Sequence, residues 1–166
     1  TAMPAIRVYF ASNRDYDAQA KQFGERFNPD GPHFYRVGYA EVSKVSDHVD
    51  NGFRVDSIWV APEKKANPKT GRAEVRGSDA VFQELRQQMI KDQKDVLVYV
   101  GGFANTFESN MQRAAQIATQ YTIDLGAGGQ PYQPYVFVFS WPSNGRTLTW
   151  EYFSDRDDAA ASGIAM

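Results

Sequence analysis

An α/β fold built on a mostly parallel sheet is what the sequence predicts, and three features predict it. Asp95 to Val100 and Tyr135 to Trp141 are each apolar on both faces, the pattern of strands covered on two sides and usually parallel. Between them Phe107, Met111, Ala114, Ala115, Ala118 and Tyr121 fall at helical spacing, which completes a strand–helix–strand unit with a right-handed crossover. The length of 166 residues, 42% of them hydrophobic, suits one globular domain over residues 1–166 with a sizeable core.

The first strand is expected at Ile6 to Ala11, which alternates and ends at Ser12-Asn13-Arg14-Asp15. Residues 14–35 carry charge, Gly and Pro and read as loop. Tyr35 to Ser43 and Phe53 to Val60 are extended candidates, with a turn signal at Asn51-Gly52 between them. The Lys-rich stretch from Pro62 to Gly77 reads as an exposed loop. Ser78 or Asp79 then caps a helix. Its apolar stripe is Val81, Leu85 and Met89, widened by Phe82 and Ile90, and Lys91 and Lys94 suit the dipole at its end. Gly101-Gly102-Phe103-Ala104-Asn105 is a tight turn into the next helix, which Gly126-Ala127-Gly128-Gly129 stops. After the turn Pro142-Ser143-Asn144-Gly145, Ser154 or Asp155 caps a last helix containing Ala159, Ala160 and Ala161.

Composition narrows the function. Lys+Arg number 18 and Asp+Glu 20, a net charge of −2, and the basic residues are scattered. A phosphate-backbone binder needs a concentrated positive face, so nucleic acid is not an expected partner. Cysteine is absent, which excludes disulfides, thiolate metal sites and cysteine nucleophiles while leaving the compartment open. No apolar run has the length of a membrane span.

Neither His33 nor His48 has a His, Asp or Glu at i+3 or i+4 on a plausible helix that would form a metal face, Asp47 and Asp50 beside His48 read as solvated loop residues, and Asp155-Arg156-Asp157-Asp158 suits a helix N-terminus without a cation. No metal is expected. The turn at Gly101-Gly102 lies between strand and helix, where phosphate cradles occur, but it matches neither GxxxxGK[ST] nor GxGxxG, and no cofactor is expected. Two readings of the paired glycines stand side by side. They form an oxyanion hole whose backbone N–H groups meet a developing negative charge, or they let the helix pack close to the sheet.

Several segments resemble a bacterial α/β-hydrolase family of esterase/lipase-superfamily proteins. Val98 to Glu108 is similar to that family's F-V-H-G-F-N-x-S-F-E-D, and Phe137 to Gly145 to its F-S-W-P-S-x-G. Tyr152, Asp155-Arg156 and Ala160 to Ser162 resemble Y-x-x-D-R-x-x-A-x-x-S. Val8 to Arg14 resembles V-F-F-A-T-x-R, and Tyr35 to Ser43 with His48 and Gly52 resembles Y-G-x-x-x-V-S-I-P-x-x-H-x-x-G. The resemblance implies an α/β-hydrolase sheet. It implies an oxyanion N–H at Phe103 with Gly102 making room, and a turn held by Asn105. Gly101 stands where the family has a loop-anchoring histidine.

An α/β-hydrolase also needs a G-x-S-x-G elbow, and this sequence contains none. Ser140 and Ser143 read as turn formers and Ser154 as a cap. The expectation is therefore an incomplete sheet: the N-terminal half of a serine hydrolase, split, cleaved or truncated, inactive by itself. It supplies the oxyanion loop, with Phe107 and Trp141 in the acyl pocket, and the triad comes from elsewhere. The expected partners are a small acyl or ester substrate and a C-terminal half, a second chain or another copy completing the sheet. The strand at 135–141 is expected to lie at the open edge. The competing reading is a non-catalytic module that keeps the hydrolase scaffold for binding or assembly.

Overall fold

The computed structural model describes residues 5–31, 34–46, 52–62, 77–101, 105–124, 129 and 131–142. A five-stranded sheet runs in the order β5-β4-β1-β7-β6. Its strands are β1 (Ala5–Ser12), β4 (Arg36–Lys44), β5 (Phe53–Val60), β6 (Val96–Val100) and β7 (Tyr135–Ser140). A separate hairpin pairs β2 (Arg14–Asp17) with β3 (Gln22–Phe27). Helices α1 (Gly77–Asp92) and α2 (Phe107–Gln120) complete the described elements.

The sheet is mixed, not mostly parallel. β1 pairs with β4, and β4 with β5, antiparallel. β1 with β7, and β7 with β6, are parallel, so β6–α2–β7 is the expected strand–helix–strand unit. The β4–β5 pair is antiparallel because a short connection joins the two strands, whereas a parallel pair needs a crossover.

Alternation along the central strands builds two cores. Val8, Phe10, Val136 and Val138 face α2 and pack with Phe107, Met111, Ala114, Ala115 and Ala118. Tyr9, Ala11 and Phe139 face α1 and pack with Val81 and Leu85, with Tyr135 and Phe137 alongside. The aromatic odd positions of β7 thus form one wall, beneath α1. The small residues of α2 let that helix lie close to the sheet.

Three expectations need correction. Residues 14–27 form the β2–β3 hairpin where a loop was expected. Its turn has no Gly-Pro or Asn-Gly signal. Lys21 takes the left-handed conformation (φ 53°), and the Asp17 carboxylate accepts the N–H groups of Gln19 and Ala20. β7 is interior, and the open edge belongs to β6, where Val98 is 66% and Val100 44% exposed. The α1 stripe is also narrower than the sequence suggests: Val81 and Leu85 are buried, while Phe82 is partly exposed and Ile90 66% exposed. The expected loop at 63–76, the turn at Asn51, the stretch Gly126-Ala127-Gly128, His33, His48, Ser143 and the last helix lie outside the described residues. No helix among the described residues is long and apolar enough to cross a membrane.

Candidate functional site

The carboxyl ends of the three parallel strands meet at one end of the sheet, the place where α/β folds build their ligand sites. β1 arrives with Ser12 and continues into Asn13 and Arg14, β7 arrives with Ser140, and β6 arrives with Gly101. Ser12, Asn13, Arg14 and Ser140 are polar and fully buried. Burial of that kind is costly unless the groups bond one another.

They do. The Arg14 guanidinium spreads its donors over three segments. Nε donates to Ser140 Oγ (3.0 Å), Nη1 to the Gly24 carbonyl (3.0 Å) and Nη2 to the Asn105 carbonyl (2.7 Å). Ser140 Oγ also accepts from Asn110 Nδ2 at 2.8 Å. The Ser12 hydroxyl donates to the Ser140 carbonyl (2.8 Å) and accepts from the Arg14 amide (3.2 Å). Ser140 is thus a sealed junction between strand ends, out of a substrate's reach.

Gly101 sits tightly against this network. Its N–H donates to the Phe139 carbonyl (3.0 Å), and its own carbonyl accepts from Trp141 Nε1 (2.5 Å). A Cβ on Gly101 would lie 2.6 Å from Asn110 Nδ2 and 3.0 Å from Asn110 Oδ1. The Asn110 amide therefore fills the space that a side chain at position 101 would need. Asn110 Oδ1 is itself buried without a hydrogen-bond partner and lies close to Gly101.

Past the turn, Thr106 caps α2. Its φ of −83° and ψ of 166° are extended, and its hydroxyl accepts the Ser109 amide (3.1 Å). Glu108 in the first turn suits the positive end of the helix dipole.

Of the expected site residues, Gly102 and Phe103 lie outside the described residues. Gly101 and Asn105 bound them on either side and are both held, Asn105 through its main-chain carbonyl. Phe107 and Trp141 are not brought together: Phe107 belongs to the core under α2 and Trp141 to the core under α1. The Phe107 ring stacks on Phe23 of the hairpin (centroids 4.3 Å, planes 26° apart) and meets Phe10 edge-on. Trp141, 7% exposed, braces the start of the turn.

A groove of about 710 Å³ opens beside this end of the sheet. The β2–β3 hairpin forms one wall with Lys21, Gln22 and Glu25, β5 the other with Asp56 and Ser57, and the start of α2 closes it. Hydrogen bonds from Ser43 and Arg54 hold the Asp56 carboxyl below its ordinary range. No cluster of metal-binding side chains occurs among the described residues.

Sequence reasoning missed Arg14 and Asn110. The only signal for Arg14 was the arginine closing the V-F-F-A-T-x-R-like segment. Asn110 sits on the inner face of α2 among alanines, where a lone polar residue marks a buried bond.

Comparison with known proteins bears on what this end of the sheet does. A family model described as an alpha/beta hydrolase of unknown function (DUF900) matches residues 78–166. No curated protein and no solved structure matches the chain.

Proposed function

Because this chain belongs to an α/β-hydrolase family of unknown function, we propose that it is part of a serine hydrolase cleaving an ester or similar acyl bond. In this reading it contributes the oxyanion loop, and the nucleophile, acid and base lie outside its sequence. The observation that carries the reading is how the connection from β6 to α2 is flanked. Gly101 ends a parallel strand and Asn105 precedes a capped helix, both at the carboxyl end of the sheet and both tied to neighbouring strands. That context is where a hydrolase presents backbone N–H groups to a carbonyl oxygen.

A serine from a G-x-S-x-G elbow attacks the acyl carbon, and the carbonyl oxygen takes the negative charge. The Phe103 N–H, with Gly102 leaving room, donates to that oxygen, and collapse of the intermediate expels the leaving group and forms the acyl-enzyme. Water then releases the acid. The loop anchor that Gly101 lacks is supplied in this reading by Asn110 and Trp141. The serine-bearing strand would pair with the open edge of β6, whether it comes from the same polypeptide or another.

The test is labelling of the natural protein, together with every polypeptide that co-purifies with it, by a serine-directed fluorophosphonate, followed by mass-spectrometric mapping. A labelled serine within G-x-S-x-G is the expected result. A folded protein that stays unlabelled beside a reactive control hydrolase would overturn the catalytic reading. The scaffold would then serve binding or assembly, a role that the exposed Val98 and Val100 favour.

A further inference from the structure

Arg14, at the start of β2, is a charged residue buried at the strand ends. It is wholly buried, and its desolvation has to be offset by bonds of good geometry. A shape-matched apolar residue would serve packing as well. What a guanidinium adds is direction, since its donors lie in a rigid planar fork. Here the fork reaches the end of β7 (Ser140), the β3 strand (Gly24) and the residue before the α2 cap (Asn105). Phe23 stacked on Phe107 repeats the hairpin–helix link through rings.

We infer that Arg14 is a positioning residue, which fixes the start of α2 and the hairpin wall of the groove relative to the strand ends. The inference rests on the hydrolase reading for its catalytic consequence only. Arg14 is wholly buried at the inner end of the groove and acts through the groups it holds. It sets where the Asn105 carbonyl and the Thr106 cap stand, and so sets the rear flank of the turn that the reacting carbonyl faces. A lysine keeps the charge but can satisfy the fork's acceptors only poorly, so charge and geometry separate experimentally.

The experiment compares Arg14→Lys and Ser140→Ala with Leu85→Ala in the full-length protein. Leu85 is a core residue of α1 whose apolar side chain takes part in none of the hydrogen bonds of the network. Thermal midpoint, fluorophosphonate labelling rate and amide exchange in the first turn of α2 are measured where each variant is folded. Labelling should fall at least about tenfold in Arg14→Lys and several-fold in Ser140→Ala, and stay within about twofold in Leu85→Ala, tenfold being about 1.4 kcal/mol of barrier. Exchange at Phe107 to Asn110 should quicken in the first two variants and not in the third. Equal effects in all three, or none, overturn the inference. Should Arg14→Lys not fold, Ser140→Ala against Leu85→Ala decides by the same criteria. If the wild type does not label, the hydrolase reading fails, and the exchange comparison still decides the positioning role.

Discussion

Single residues at the strand ends carry more than their sequence neighbourhood suggests. Ser12-Asn13-Arg14 looks like a polar stop to a strand, yet it is the buried hub of the site. Gly38 is another such position. A Cβ there would lie 1.9 Å from the Trp59 carbonyl on the neighbouring strand, and backbone cannot yield as a side-chain tip can. Gly38→Ala should therefore lower the unfolding free energy by about 1–3 kcal/mol in urea titration. Loss of the α2 cap in Thr106→Ala should cost about 1 kcal/mol by the same measurement. A pH prediction belongs to Tyr135. Burial, then its hydrogen bond to Asp92, pushes this phenol up to about 12 from 10.0. Between those values the unfolded chain loses the proton and the folded chain keeps it, so stability is full below pH 10 and falls as pH rises toward 12. Tyr135→Phe should flatten that alkaline decline in thermal melts, and an unchanged decline would place its cause in other groups.

At the scale of elements, periodicity revealed what is regular and missed what is held by tertiary contacts. β1, β4, β5, β6, β7 and both helices fall where alternation, double-sided apolar runs and helical spacing put them. The β2–β3 hairpin did not show, because its turn uses Lys21 in a left-handed conformation and an aspartate side chain rather than glycine. Its fold comes from Phe23 packing on Phe10, Tyr16 and Phe107, a long-range fact that no local pattern records. Phe23→Ala should accordingly loosen the hairpin at a cost of about 1–3 kcal/mol, visible as faster amide exchange in residues 22–27 with the sheet protected. The site was legible only in outline. The paired glycines marked the turn, but its supports lie on β1, β7 and α2, far apart in sequence, and their bonds depend on strand order. That order is also why β6, apolar on both faces, stands at the rim when its composition pointed to a central place.

For the molecule as a whole, an exposed apolar rim is a template for pairing. Val98→Lys should reduce self-association in light scattering while leaving the helical signal in circular dichroism unchanged. Unaltered association would move the contact surface elsewhere. The two cores deserve to be considered together. β1 sends Val8 and Phe10 to one and Tyr9 and Ala11 to the other, so neither layer can come apart while the other keeps its central strand in place. Heating should consequently give a single calorimetric peak with matching van't Hoff and measured enthalpies. A lesion under either helix would then shift that one peak, and would not split off a half-melted species.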